Sequence, residues 1–296
     1  MVVVPVPTAA FPYPPFLRGG GRAPRVVLAL ALVPLCACGC RLVHRHAPAP
    51  EQLAEARRLS NEGLSAAGQQ DLAGAESLLA QAVKRCPTDV DARRHYADVL
   101  WRRGERMQAV TQIDEALRVA PEDEGLCLTG GRMTLELGLL DDAERLSKTA
   151  LRVAPRSAGA WHLHGQVALA RGQAEDALAD FHRGLSVAPE DRDLLLDTAE
   201  VYRRLGRPQR ALATLASLTE AYAPHPAPGL VRALEGMAQE ALGRDDEARE
   251  SYREALVRGG APPDTSARLA ALDAGTPPVA AARPGTVVAG TAPPAR

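Results

Sequence analysis

Three cysteines, Cys36, Cys38 and Cys40, stand with His44 and His46 in the densest cluster of ligand-forming side chains in the chain. Thiolates and imidazoles hold zinc or copper, but structural zinc sites usually space their cysteine pairs more widely and set them on opposing turns. Here the thiols follow directly on an apolar run, Val26–Leu35. A second pair, His162 and His164, forms an H-x-H in a helical stretch, where such neighbours point about 200° apart, a poor start for one metal ion. The acidic pairs Asp141–Asp142 and Asp245–Asp246 open helical stretches, where carboxylates meet the positive end of the helix dipole. The sequence contains no G-x-x-x-x-G-K-[ST], no G-x-G-x-x-G after a strand, no H-E-x-x-H and no G-x-S-x-G. No catalytic constellation, metal site or cofactor is therefore expected, and function must lie in surfaces.

Those surfaces need a scaffold, and composition says which kind. The chain has 296 residues, 35 basic and 36 acidic, so no overall charge draws it to nucleic acid. Aromatics are 3%, while alanine and leucine abound, a balance that favours helices packed from small and aliphatic side chains. The phrase "VAPED" occurs at Val119–Asp123 and at Val187–Asp191, with "VAPRS" midway at Val153–Ser157. Their prolines, Pro121, Pro155 and Pro189, recur every 34 residues, and Pro87 extends the series one step earlier.

Columns of small residues keep the same period: Gly63, Ala97, Gly131, Gly165 and Ala199; Ala75, Ala109, Ala143, Ala177 and Ala211; Ala82, Ala116, Ala150 and Gly184. Gly104, Gly138, Gly172 and Gly206 mark a turn between two helices, with Gln70 in that place in the first block. Each block reads as helix, glycine turn, helix and proline-marked exit. Two such helices cannot bury their apolar face alone, so blocks must stack. Leu59, Leu79, Ile113, Phe181 and Leu215 are expected to fill the wider parts of the interface.

The fourth block, with Trp161, Gly165, Ala177, Phe181 and Pro189 in register, resembles the tetratricopeptide repeat, although His164 and Ala168 depart from the usual leucine and aromatic. Five clear blocks begin at Ala56, Val90, Glu124, Ala158 and Arg192; a sixth, degenerate one follows from Gly229. The resemblance implies an all-α, right-handed superhelical solenoid with a C-terminal capping helix at Asp264–Ala274, for which Asp264 or Thr265 is the expected N-cap.

Ahead of the repeats, Arg18, Arg22 and Arg25 precede the ten-residue run Val26–Leu35, too short to span a membrane comfortably but built like a signal peptide. Leu35-Cys36-Ala37-Cys38 resembles the bacterial lipobox, which implies lipidation of Cys38, with Cys40 as the alternative. An uncleaved anchor and a metal site are the rival readings of this segment. The expected organisation is then an N-terminal extension and signal peptide over 1–37, a lipidated cysteine and linker over 38–55, the solenoid over 56–260, the capping helix over 261–274 and a disordered Pro/Ala-rich tail over 275–296. Pro48 and Pro50 should stiffen the linker.

In tetratricopeptide repeats the first helix of each block lines a concave groove, with ligand-facing residues near block positions 2, 5, 6, 9, 12 and 13. The resemblance carries that role to Arg57, Asn61, Arg94, His95, Asp98, Trp101, Arg102, Arg132, His162, Gln166 and Arg203, beside Asp197 and Glu200. The early groove is arginine-rich and the fifth block acidic. An exposed Trp101 flanked by arginines is expected as an interaction hot spot, against the plainer reading that it packs on a neighbouring helix. The co-chaperone clamp for acidic C-termini does not fit, since His95 stands at its asparagine position and lysine is nearly absent. The resemblance implies a non-enzymatic scaffold for a protein or peptide, tethered outside the cytoplasm by lipid, at the outer membrane if there is one, and working in an envelope assembly. The alternatives are an accessory module for an envelope enzyme such as a peptidoglycan hydrolase and a soluble cytoplasmic adaptor.

Overall fold

A computed structural model of the chain describes residues 49–275, all within a unit that begins at Ala47. Among the described residues there are thirteen helices and no strand. They pair as α1 (Pro50–Gly68) with α2 (Leu72–Arg85), α3 (Val90–Arg102) with α4 (Arg106–Val119), and α5 (Glu124–Glu136) with α6 (Leu140–Val153). Then follow α7 (Ala158–Ala170) with α8 (Ala174–Val187), α9 (Arg192–Arg204) with α10 (Pro208–Ala221), α11 (Gly229–Glu240) with α12 (Asp245–Arg258), and a last helix α13 (Thr265–Asp273). The cysteine cluster Cys36–Cys40 lies outside the described residues, as does the tail beyond Gly275.

The recurring phrase at each repeat exit ends one helix and starts the next. After Pro87, Pro121, Pro155 and Pro189, the second residue on is Asp89, Asp123, Ser157 or Asp191. Each of these accepts a hydrogen bond from a backbone N–H in the first turn of α3, α5, α7 or α9, at 2.8–3.1 Å. Such a cap satisfies one of the N–H groups that a helix start leaves without an intrahelical partner.

The inner turns are closed from the other side. Gly104 N–H donates to the Trp101 carbonyl and Glu105 N–H to that of Leu100, a Schellman-type ending repeated at Gly138, Gly172, Gly206 and Gly243. This ending needs positive φ, and in the first repeat the residue that supplies it is Gln70, at φ 66°.

Small residues let each pair close. A Cβ on Gly165 would stand 2.5 Å from the Phe181 ring, and one on Gly236 would stand 2.6 Å from the Tyr252 ring. Where the column carries alanine instead, as at Ala97 and Ala199, the side chains packed with it are aliphatic, Ile113 and Leu215. Leu59, Leu79, Ile113, Phe181 and Leu215 are all buried, as expected. Cys86 and Cys127 are buried free thiols, and burial raises the Cys127 thiol above its usual range.

Neighbouring repeats are joined chiefly by packing of the second helix of one pair on the first of the next: α2 on α3, α4 on α5, α6 on α7, α8 on α9 and α10 on α11. Smaller contacts set α1 on α3, α5 on α7 and α9 on α11. Arginines bridge the seams. Arg103 pairs with Glu76, Arg171 with Asp141 (2.6 Å) and Glu144 (2.8 Å), and Arg207 with Glu175 (2.6 Å).

Two local expectations change. Helix α1 starts at Pro50, so residues 50–55 are helix and not spacer. Proline suits a first helical position because its missing N–H would have no intrahelical partner there. At the other end Asp264 precedes α13 but makes no capping hydrogen bond; its carboxylate accepts instead from Arg268 (2.8 Å).

Candidate partner-binding groove

Because side chains on one helical face recur at three- and four-residue intervals, Arg132, Leu135 and Glu136 share one face of α5. Gln166, Leu169 and Ala170 do the same on α7. With Asp197 and Arg204 of α9 they line a single cavity of about 570 Å³. Three successive first helices thus converge on one concave surface.

Its polar groups are set by an interhelical network. His162 Nε2 lies 2.8 Å from Asp197 Oδ2, and the Gln166 amide donates to the same oxygen at 2.9 Å. His162 rests edge-on against Phe181, ring centres 5.7 Å apart, so the core ring supports the groove histidine. Burial would raise the Asp197 carboxyl, but the hydrogen bonds from His162 and Gln166 outweigh it and hold the group below its usual value. Glu200 is lowered in the same way, its burial outweighed by hydrogen bonds from Arg203 and Arg204. Arg132 and Glu136 are exposed and make no ion pair or side-chain hydrogen bond among the described residues.

A second cavity, of about 460 Å³, begins at Asp197 and continues along α9 and α11. Leu196, Leu230, Leu234 and Met237 form its apolar floor, and Pro262 with Asp264 and Arg268 close one side. Arg203 lies on its rim, bound to Glu200 through two contacts of 2.8 Å.

The first two repeats are arranged differently. Arg57 and Asn61 are exposed on α1, away from both cavities, and Asp98 is exposed on α3. Arg94 pairs with Asp91 at 2.9 Å. His95 bonds the Ser60 hydroxyl at 3.1 Å, and burial, with Arg94 beside it, lowers its pKa.

Trp101 is half-buried and packs against the core cluster of Ala97, Leu100 and Ala109, which agrees with the plainer of its two readings. The guanidinium over its ring belongs to Arg106, 5.3 Å from the centroid. Arg102 reaches back across the repeat boundary to the Ala67 carbonyl at 3.2 Å. The indole is apolar surface that the core can cover, while a flanking arginine is free to satisfy a carbonyl of the preceding helix.

Sequence reasoning assembled the charged members of the surface and missed its apolar floor. Leu135 and Leu169 occupy block position 12, the position that singled out Trp101, and Leu196 occupies position 5. A reading of those positions for apolar as well as charged side chains finds them. Nothing local marks Pro262, Asp264 or Arg268, which reach the cavity only because α13 folds back.

Outside the groove, His164 Nδ1 lies 2.6 Å from the buried Asp180 carboxylate, which also pairs with Arg183 at 2.8 Å. The two histidines of the H-x-H thus serve different helix pairs. Among the described residues no group of three or more His, Cys, Asp and Glu side chains could hold a metal ion, and no helix is long and apolar enough to cross a membrane.

Family models described as Tetratricopeptide repeat match residues 66–128 and 168–235, 128–181 and 231–256, so they span well over half of the chain. No curated protein matches it. Among solved structures it is similar to a tetratricopeptide repeat protein from Parabacteroides merdae, at 20% identity over 74% of this chain and 84% of that one, with a TM-score of 0.59. It is also similar to PilW, a type IV pilus biogenesis factor, at 16% identity over 72% of this chain and 97% of that one (TM-score 0.65). Pseudomonas aeruginosa pilF matches at 15% identity over 69% and 91% (TM-score 0.60). These likenesses are of fold. The stacked helix pairs, the 34-residue register and the family match agree: the chain belongs to the tetratricopeptide-repeat family.

Proposed function

We propose that this protein is a non-enzymatic scaffold that holds a polypeptide partner along the face formed by α5, α7 and α9. The observation that carries this reading is the convergence of three first helices on one cavity with an apolar floor and two unpaired charges, Arg132 and Glu136. Large contact area with few fixed polar points suits a peptide or protein surface better than a small metabolite. A photo-crosslinking side chain at Leu169, compared with one at Arg145 on α6, tests it in the native host. Crosslinks to a discrete partner from position 169 and not from 145 are expected. Equal capture from both positions, or from 145 alone, overturns the groove reading.

We further infer that the chain is tethered through Cys38, or Cys40, to a membrane outside the cytoplasm, where it serves an envelope assembly. Support comes from the basic residues, short apolar run and Leu-Cys-Ala-Cys phrase that precede the repeats. A pilus biogenesis factor of the same fold offers one example of such an assembly. Metabolic labelling with a fatty-acid analogue should mark the wild type and fail in the double variant Cys38→Ser, Cys40→Ser. An unlabelled, soluble wild type defeats the tether and leaves the groove untouched.

A further inference from the structure

The cavity over α9 and α11 has an apolar floor that nothing among the described residues covers. Leu196, Leu230 and Met237 are half-buried there, and Pro262 and α13 wall one side. Its lining carries Asp197, Glu200 and Asp264 against Arg203 and Arg268, three carboxylates to two guanidiniums.

The chain that leaves this wall has matching chemistry. Residues 276–296, TPPVAAARPGTVVAGTAPPAR, contain no acid, two arginines (Arg283 and Arg296) and the apolar residues Val279, Val287 and Val288 among prolines. Such a segment cannot bury its valines against itself. Its proline content lowers the conformational entropy lost on binding. Reach is ample. Arg268, on the cavity wall, is seven residues from Gly275, about 10 Å at 1.5 Å per helical residue. From Gly275 to Val287 the chain can span about 40 Å. Gly275 itself has φ 64°, which turns the backbone out of the α13 axis.

We propose that residues 276–296 of the same chain occupy this cavity, setting Val287 and Val288 on the Leu196–Leu230–Met237 floor and an arginine beside Asp197, the lining carboxylate that no arginine among the described residues pairs with. Because Asp197 lines both cavities, a seated tail abuts the α5–α7–α9 surface and competes with a partner there. That competition rests on the groove reading; occupancy of the cavity by the tail does not, and it is measured with no partner present.

The test uses the full chain, purified in detergent, with benzoylphenylalanine in place of Val287. Irradiation followed by peptide mapping should give intramolecular crosslinks concentrated on 194–204, 229–240 and 260–268. Met237→Asp, at a half-buried position, should lower their yield at least fivefold with unchanged circular dichroism. Should that variant misfold, the tail variant Arg283→Glu, Arg296→Glu leaves the repeats intact and should lower the yield several-fold. An excess of synthetic 276–296 peptide should compete. Crosslinks spread evenly over the repeats, crosslinks mainly between two copies, or a yield indifferent to the tail charges each overturn the proposal. Loss of tail crosslinks with groove crosslinks at Leu169 intact would sink this inference alone.

Discussion

Gly165 and Phe181 form a lock and key inside the fourth repeat, and exchanging their sizes should reveal it. Alanine at position 165 places a methyl 2.5–2.6 Å from two ring carbons of Phe181 and 3.1 Å from the Ala177 carbonyl. The ring has no room to retreat, since Phe181 is 0% exposed. Overpacking of this kind costs about 1–3 kcal/mol. Replacing an interior helical glycine by alanine returns about 1 kcal/mol, so Gly165→Ala should destabilise by roughly 0–2 kcal/mol. Phe181→Leu alone should cost about 1 kcal/mol for lost contact. Together the pair reproduces what Ala199 and Leu215 already do in the next repeat. The double variant should therefore be more stable than the sum of the singles by about 1–2 kcal/mol. Urea unfolding followed in parallel by circular dichroism and by tryptophan fluorescence measures this, because Trp161 reports on the same repeat and a solenoid can unfold in parts. Additivity within about 0.5 kcal/mol, or a Gly165→Ala variant more stable than wild type, refutes the close-approach argument.

Three more expectations rest on separate features. Gln70→Gly should stabilise the chain by about 1 kcal/mol, because a side chain at φ 66° carries a left-handed penalty that glycine avoids; an unchanged urea midpoint would argue against it. Asp191→Ala removes the cap that accepts from Asp193 and Leu194 N–H and should cost about 1 kcal/mol, seen as a lower urea midpoint, with Asp191→Asn retaining most of it. Burial would raise Asp197 and Glu200, but hydrogen bonds outweigh it and hold both below their unfolded values. Their contribution is therefore full above the ordinary carboxylate range and is lost as pH falls from that range through the lowered folded values. Stability measured from pH 7 down to pH 3 should fall, and less steeply in Asp197→Asn; an identical slope would show that the His162–Asp197 contact carries no such linkage.

The repeat was legible because its determinants are local. Pro121 and Asp123 lie two residues apart and settle a helix start between them. Gly104 or Gly138 settles a turn by itself, and alanines every 34 residues mark the interface. The groove was legible only as far as position within a block predicts direction, which found Arg132, Gln166 and Asp197 but not their grouping. His164 with Asp180 and Arg102 with the Ala67 carbonyl join residues 16 and 35 apart in sequence, and no local pattern announces either pair. Trp101 is open to two readings in the sequence because its sequence neighbours are polar, whereas on a helix its spatial neighbours are three and four residues away, and these favour packing. Residues 50–55 were misassigned because a proline pair reads as a spacer until the helix beyond it is seen to start on the second proline.

The arginine bridges across the seams give the solenoid a mechanical property. Asp141 is 99% exposed where Arg171 holds it, and Glu175 is 61% exposed beside Arg207. Pairs so open to water are weakened by added salt, which shortens the reach of charge to about 8 Å at 0.15 M and about 3 Å at 1 M. The buried alanine and glycine contacts within each helix pair carry no charge for salt to screen. Added salt therefore loosens the exposed edge of each seam, while apolar clusters that cross the seams, such as that of Phe181, Leu194 and Ala238, keep the repeats stacked. A partner seated across α5, α7 and α9 must hold three such segments in one arc. Its dissociation rate should then rise with salt even when the partner itself carries no charge.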